Sequence, residues 1–348
     1  MLNLSDIAQR RTVFQVKDRS SRYASIVAQY DPVKIGVWTA EASLTILALL
    51  LRSGDMVPAA RTNLKPFLTL AAIISAGAVA DRLGIFALLA RGLIPKRAAY
   101  PLVFGSVLGF SAVLSGLVNL DVAVVVTIPL ALTIAAPRGM SAASLVLAIA
   151  ITANATSFLL PTSNLTNLMV LTREPISFPS YVSDSVLPWL MVTAVTISAL
   201  TIYLARLPGN HGELTQKRNG PAWALIDLIP MFAVATAIRA LVVTGFTLGG
   251  GFISQVVTGS ALAATANNLP AAAAVRPVGS AGEWAAILAM AIGPNLLLTG
   301  SVATLISRNI ARGSGVELSA LRFSAVGSVL VVLQLGVATI GFKLSGVI

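Results

Sequence analysis

The chain has 348 residues, of which 56% are hydrophobic and 11% are charged, and it contains no cysteine and a single histidine, His211. This composition excludes a soluble globular domain, in which roughly a quarter of the residues are charged, and the missing cysteines exclude disulfides and thiolate metal sites. A formal net charge of +11 would suggest nucleic acid as the partner of a soluble protein, but here the basic residues stand between apolar runs and follow membrane topology. We therefore expect a membrane protein without a metal site, a cofactor or a nucleic-acid partner.

Residues 1–34 are basic and have no apolar core, which predicts a cytosolic segment held near lipid headgroups rather than a cleaved signal peptide. With this N-terminus inside, most of the 24 lysines and arginines fall in inner segments, as the positive-inside rule requires. A Gly- and Pro-rich loop at 207–221 divides the chain into membrane halves at 35–206 and 222–348. Membrane-crossing spans are predicted at 35–52, 66–82, 142–172, 186–206, 222–243, 283–312 and 319–342.

Two further apolar segments, at 101–136 and 251–278, carry polar residues in the middle and are interpreted as re-entrant hairpins. They align without a gap, so that Asn119 matches Asn268. A second pair aligns LPTSNLTNLM from 160 with LTGSVATLIS from 298, so that Ser163 matches Ser301. An odd number of crossings leads from one copy to the other, so the copies are inverted, as in many secondary transporters. The predicted fold is an all-α polytopic membrane protein with inverted-topology repeats, each with a re-entrant helical hairpin and a discontinuous transmembrane helix.

Backbone-breaking residues interrupt the spans at 142–172 and 283–312. An unpaired backbone group in hydrocarbon costs several kcal/mol, so a broken helix persists only where protein, water or a solute replaces the lost partners. The alternative is that these residues only kink helices packed through small side chains, but interruptions in two matched pairs favour a solute site. Exposed helix N-termini would attract an anion, and carbonyl ends would hold a cation. Asp121, at the first hairpin tip, is either the group that couples transport to an ion or a cap of the second arm.

At these motifs the chain resembles the arsenite permease family, the arsenical pump membrane proteins of the ion transporter superfamily. The strings that carry the resemblance are VNLDVAVVVTIPLAL from 118, ANATSFLLPTSNLTNLM from 153, ANNLPAAAAV from 266 and AIGPNLLLTGSVATLISRNIA from 291. The resemblance implies a multi-pass exporter of arsenite and antimonite in the bacterial inner membrane, driven by the proton gradient and assisted in some members by a separate ATPase subunit. The wider superfamily implies a homodimer and includes Na⁺-coupled uptake systems for dicarboxylates and other anions.

Matching these motifs gives a set of helix-break residues and a set of substrate- and ion-binding residues. The helix breaks are Pro161, Pro270, Gly293 and Pro294. The candidate binding residues are Asn119, Asp121, Asn154, Thr162, Ser163, Asn164, Asn167, Asn267, Asn268, Asn295, Gly300, Ser301 and Thr304. The chain departs from the family at Asn154 and Ala291, where members often have an acidic residue, and at Asn295, where they often have a lysine.

The leading hypothesis is export of a small inorganic oxyanion or metalloid hydroxide, arsenite or antimonite, by alternating access driven by protons. Without a thiolate, trivalent arsenic would be recognised as an uncharged hydroxide through hydroxyl and amide hydrogen bonds, and the same groups would accept a carboxylate. The alternatives are Na⁺-coupled uptake of a carboxylate or inorganic oxyanion and a passive channel. An enzyme is disfavoured because the carboxylates are scattered and the only histidine lies in a loop.

Overall fold

The computed structural model describes residues 32–85, 88, 91–92, 99–135, 138–172, 175–205, 224–242 and 245–348. The predicted basic segment up to residue 31 and the predicted linker at 207–221 lie outside the described residues. The described part of the chain is all-α, with thirteen α-helices, two short 3₁₀ helices and one isolated bridge between Phe246 and Val275.

The helices divide into a leading helix and two repeats of six helices each. The leading helix is α1 (Pro32–Leu51). The first repeat comprises α2 (Ser53–Arg82), α3 (Tyr100–Leu117), α4 (Leu120–Ala135), α5 (Ala142–Ala155), α6 (Leu165–Leu171) and α7 (Phe178–Leu204). The second repeat comprises α8 (Ala224–Leu241), α9 (Phe252–Ala266), α10 (Asn268–Ala274), α11 (Gly279–Ile292), α12 (Val302–Gly313) and α13 (Ala320–Leu344).

Both hairpins and both discontinuous helices of the predicted fold are present. The arms α3 and α4 pack against each other and turn at Val118 and Asn119, and the arms α9 and α10 turn at Asn267 alone. A 3₁₀ helix, Pro161–Ser163, lies in the gap between α5 and α6, and a second, Gly293–Leu296, lies between α11 and α12. Four stretches of the described chain are long and apolar enough to cross a membrane: Ser53–Ala80, Tyr100–Leu117, Phe178–Leu204 and Ala320–Leu344.

Two helices, α2 and α7, begin more than two helical turns earlier than the sequence predicts. α2 starts at Ser53 rather than at 66, because Pro66 removes only one backbone hydrogen bond and the charged Arg61 and Lys65 remain on its exposed surface. α7 starts at Phe178 rather than at 186, since Ser177 accepts a hydrogen bond from the first turn and caps the helix. Polar or proline residues near a helix start therefore do not mark the end of the apolar span.

The two repeats contact each other in an exchanged pattern. Helix α2 packs against its counterpart α8, and α7 packs against its counterpart α13. The second hairpin arm of each repeat lies on the broken helix of the other, so that α4 contacts α12 and α10 contacts α6. Such reciprocal contacts are those of a pseudo-two-fold axis, and they agree with the inverted topology that the sequence predicts from its odd number of crossings.

Aromatic side chains join α7, α11 and α13 in the interior. The rings of Tyr181 and Trp284 lie 4.6 Å apart, and those of Trp284 and Phe342 lie 4.7 Å apart, all three fully buried. Between helices in lipid such contacts stabilise by close van der Waals packing, because lipid tails are as apolar as the side chains.

Candidate functional site

Four helices begin at one small cavity. Its walls are built from the first two residues of α4, α6, α10 and α12, from the caps Asn164 and Ser301, and from Met231 of α8. The first N–H groups of a helix have no partner within the helix and carry partial positive charge. Four such ends around one space favour a negatively charged group there. The eight first-turn residues are Leu120, Asp121, Leu165, Thr166, Asn268, Leu269, Val302 and Ala303.

The cavity is small in this conformation. Its volume is about 20 Å³, which is room for about one water molecule. A carboxylate larger than this requires the walls to separate.

The two hairpin tips are held by the same pair of hydrogen bonds. Asn119 donates from Nδ2 to the carbonyl of Thr162 (3.3 Å), and its Oδ1 accepts from the N–H of Asp121 (2.8 Å). Asn267 donates from Nδ2 to the carbonyl of Thr299 (3.0 Å), and its Oδ1 accepts from the N–H two residues ahead, at 3.2 Å. Each asparagine caps the second arm of its hairpin and ties the tip to the neighbouring break.

This geometry corrects the register of the predicted repeat by one residue. The gapless alignment matched Asn119 with Asn268, whereas the capping residue equivalent to Asn119 is Asn267. It likewise matched Ser163 with Ser301, whereas the cap equivalent to Ser301 is Asn164, which accepts from the N–H of Thr166. The alignment paired identical residue types. In the fold, the equivalent positions are the helix caps, whose side chains bond the N–H groups of the first turn, and serine and asparagine are both good caps.

Asn267 also carries the backbone strain of the second tip. Its φ is +72°, and within the described chain it is the one residue other than glycine with a positive φ. Its ψ of 145° places it outside the left-handed helical region that asparagine tolerates, so the backbone is strained there, and strained positions of this kind cluster at ligand sites.

The first break is stabilised by its own side chains. Asn167 donates from Nδ2 to the carbonyls of Ser157 (2.9 Å) and Leu160 (3.4 Å), and Ser163 donates from Oγ to the same Leu160 carbonyl (2.6 Å). These bonds replace helical partners lost between α5 and α6, as the membrane interior requires. Ser163 and Asn167 therefore support the break rather than line the cavity, and Thr162 contributes its carbonyl to Asn119.

Glycines allow close approach at the second break. A Cβ on Gly300 would overlap the backbone of Pro294, and a Cβ on Gly293 would lie 2.6 Å from the Cα of Ser260 in α9. Pro294 lies in one 3₁₀ helix and Pro161 starts the other, so both are at breaks. Pro270 is not at the break: it is the third residue of α10, beyond the turn at Asn267, where its missing N–H costs nothing because first-turn N–H groups have no helical partner.

A buried polar network connects the two breaks. Asn154, the penultimate residue of α5, donates from Nδ2 to Asn295 Oδ1 (2.9 Å) and to Thr304 Oγ1 (3.0 Å). Its Oδ1 accepts from Ser301 Oγ (3.0 Å), and Asn295 donates from Nδ2 to the carbonyl of Ile151 (3.1 Å). All four polar side chains are at most 1% exposed. Asn154, Asn295 and Thr304 thus lie behind the cavity wall, bonded to each other across the repeats.

The cavity is symmetric in backbone and asymmetric in side chains. At three pairs of equivalent first-turn positions one repeat has a polar residue and the other an apolar one. Asp121, a buried carboxylate, and Thr166, whose Oγ1 has no hydrogen-bond partner, both belong to the first repeat. The pairs are Asp121 and Leu269, Asn268 and Leu120, and Thr166 and Ala303.

The predicted residues therefore divide into three groups. Asp121, Asn164, Asn268 and Ser301 line the cavity. Asn119, Thr162, Ser163, Asn167, Asn267 and Gly300 shape the tips and breaks, and Asn154, Asn295 and Thr304 form the network behind them. Two cavity residues were not predicted from the sequence. Thr166 could have been found, because it lies two residues after Asn164, the cap of α6. Met231 is apolar, and nothing in the sequence around it indicates a site.

A family model described as citrate transporter, CitMHS, matches residues 33–348. The chain belongs to the citrate transporter family. No curated protein matches it. Membership in this family, within the ion transporter superfamily, makes the chain a multi-pass secondary anion transporter. The match does not support the arsenite permease family specifically, and it does not confirm arsenical resistance or antiport.

Proposed function

We propose that this protein is a secondary transporter that takes up a carboxylate of the citrate class together with Na⁺. The observation that carries the proposal is the meeting of four helix N-termini at one cavity in a chain of the citrate transporter family. The partial positive charge at these helix ends favours a carboxylate over a neutral solute. Uncharged arsenous acid gains less from such a field, so the geometry favours the carboxylate over arsenite.

The polar side chains of the cavity would complete recognition of the substrate. Asn268 lines the cavity while its Nδ2 donates to the carbonyl of Met290 (3.2 Å), which fixes the orientation of its amide. Thr166 is 2% exposed, and its buried Oγ1 has no hydrogen-bond partner, so it is free to donate to a carboxylate oxygen. A buried hydroxyl without a partner is costly, so a substrate that engages it gains the bond that the empty cavity lacks.

Coupling to a cation is assigned to Asp121. The residue is 8% exposed and lies in the first turn of α4, on the cavity wall. An acidic side chain within the membrane interior is retained at a cost, and in transporters it marks an ion pathway. A cation at Asp121 removes the repulsion between this carboxylate and an anionic substrate, which makes binding of the two cooperative.

The direct test is transport in proteoliposomes that contain only this protein. An inward Na⁺ gradient is expected to drive accumulation of radiolabelled citrate, and collapse of the proton gradient by an uncoupler is expected to leave it intact. Succinate, phosphate and arsenite serve as competing solutes, and protein-free liposomes as the control. Flux driven by protons alone, or competition by arsenite but not by carboxylates, would overturn the Na⁺–carboxylate assignment.

This function needs no ATPase subunit, since the ion gradient supplies the free energy. A cytoplasmic N-terminus, a location in the bacterial inner membrane and a homodimer stay predictions of the sequence. Accessibility of tags at the two termini and the mass of the detergent-solubilised protein would test them.

A further inference from the structure

The two caps of the broken helices are supported from different places. Asn164, which caps α6, donates from Nδ2 to Ser157 Oγ (3.0 Å), a residue of its own break. Ser301, which caps α12, instead donates to Asn154 Oδ1, a residue of the other repeat. The wall of the cavity formed by the first repeat is therefore held within that repeat, whereas the wall formed by the second repeat depends on α5 of the first.

A closed ring of hydrogen bonds joins Asn154, Thr304 and Ser301, and the donor of each bond in it can be assigned. Ser301 has one hydroxyl proton and gives it to Asn154 Oδ1, so the proton in its 2.8 Å contact with Thr304 must come from Thr304 Oγ1. Thr304 Oγ1 in turn accepts from Asn154 Nδ2. Each donor in the ring points the same way round, and each hydroxyl both donates and accepts.

Asn295 sets the direction of the ring. Its Nδ2 donates to the carbonyl of Ile151, which leaves its Oδ1 facing Asn154 as an acceptor. Asn154 must therefore present Nδ2 to Asn295 and Oδ1 to Ser301. With both Nδ2 protons and Oδ1 engaged by protein atoms and 1% of the residue exposed, Asn154 has no free donor to offer a solute.

We propose that Asn154 is a positioning residue that fixes Ser301 and the first turn of α12 from the opposite repeat. It acts on the substrate site through Ser301 and does not contact the solute. Asn154 and Asn295, which the sequence assigned as binding residues, therefore shape the cavity instead of binding the solute. A test of this role does not require the identity of the substrate.

The natural absence of cysteine makes the test direct, because a single introduced thiol reports one position without further mutation. Ala303→Cys places a thiol on the cavity wall in the first turn of α12, and Thr166→Cys places one at the equivalent position of α6. The measurement is the labelling rate of each thiol by a small water-soluble methanethiosulfonate, with and without Asn154→Ala. Gel filtration in detergent verifies that each variant is folded.

Asn154→Ala is expected to raise the labelling rate of Ala303→Cys about fivefold, the effect of one lost cap on an opening equilibrium, and to change that of Thr166→Cys less than twofold. Ser157→Ala, which removes the support of Asn164, is the reciprocal control and should affect Thr166→Cys alone. Equal effects of Asn154→Ala at both thiols, or none at either, would overturn the proposal.

A second variant covers the case in which Asn154→Ala does not fold. Thr304→Val removes one member of the ring at constant shape and should reproduce the selective effect on Ala303→Cys. Adding Thr304→Val to Asn154→Ala should raise the labelling rate of Ala303→Cys little further, because the effects of substitutions within one network are not additive.

If citrate flux is present in the wild type, both variants should raise KM with little change in maximal rate; a change in KM without any change in labelling would make Asn154 a direct ligand. If the wild type carries no citrate, the proposed function fails while the labelling contrast still decides this inference.

Discussion

Asn119 and Asn267 make the same hydrogen bond in opposite halves of the molecule, each from Nδ2 to the carbonyl of a threonine in the neighbouring break, Thr162 at 3.3 Å and Thr299 at 3.0 Å. Each also accepts from the N–H two residues ahead. The two tip asparagines thus make matching hydrogen bonds, although the first tip turns at two residues and the second at Asn267 alone. Differences in what the two halves bind must therefore come from the side chains that face the cavity.

The two tip asparagines should respond differently to loss of the side chain. Asn119→Ala removes a cap and a tie to the break and should lower the free energy of unfolding by about 1–2 kcal/mol. Asn267→Ala should cost more, because alanine at φ +72° adds backbone strain. Asn267→Gly should recover part of that difference, since glycine adopts positive φ freely. Thermal unfolding in detergent measures all three, and equal losses for Asn267→Ala and Asn267→Gly would contradict the strain.

Neutralising the cavity carboxylate should uncouple transport. Asp121→Asn keeps the shape of the side chain but removes the negative charge that a cation would balance, so citrate exchange should persist while its dependence on Na⁺ is lost. The readout is the Na⁺ concentration for half-maximal flux in proteoliposomes. Asp55→Asn, at a half-exposed carboxylate paired with Arg52 at 3.8 Å, is the matched control and should behave as the wild type. An unchanged Na⁺ dependence in Asp121→Asn would assign coupling elsewhere.

The free hydroxyl of Thr166 should contribute to affinity. Thr166→Val removes one hydrogen bond to a charged substrate at constant volume, worth about 1.5 kcal/mol, and should raise the KM for citrate about tenfold. Thr166→Ser should retain most of the affinity. The mirror change Ala303→Ser adds a hydroxyl at the equivalent position of the second repeat and should alter the ranking of competing di- and tricarboxylates. Equal KM values for Thr166→Val and wild type would show that the hydroxyl makes no contact with substrate.

Close packing at the second break should make it intolerant of a single methyl group. Gly300→Ala places a Cβ against the backbone of Pro294, which cannot move away without disturbing the 3₁₀ helix that it belongs to. We expect aggregation or a strongly reduced yield of monodisperse protein. Gly336→Ala in α13, where a Cβ meets no atom within 4 Å, should fold at least as well, because alanine favours the helix. Normal yield and stability of Gly300→Ala would contradict the tight approach.

The hairpins and breaks could be predicted from the sequence because polar residues inside apolar spans have few physical explanations in lipid. The register of the repeat could not be predicted, since the equivalent caps Asn164 and Ser301 are different residue types. The role of Asn154 could not be predicted either: its partners Asn295 and Thr304 are remote in sequence, and only the packing of the repeats shows that both of its amide protons are engaged. The motifs indicated the ion transporter superfamily, to which the citrate transporter family belongs, whereas the family match does not support arsenite permease specifically.

The central claim is that the cavity where α4, α6, α10 and α12 begin is the carboxylate site. The most direct measurement is protection of a single thiol at Ala303→Cys from methanethiosulfonate by citrate, in Na⁺ and in K⁺ buffer, with Ser183→Cys on the exposed surface of α7 as control. The account predicts that citrate slows labelling of Ala303→Cys in Na⁺, does so weakly in K⁺, and leaves Ser183→Cys unchanged. Citrate transport by Ala303→Cys without protection of its thiol would contradict the claim and move the binding site elsewhere.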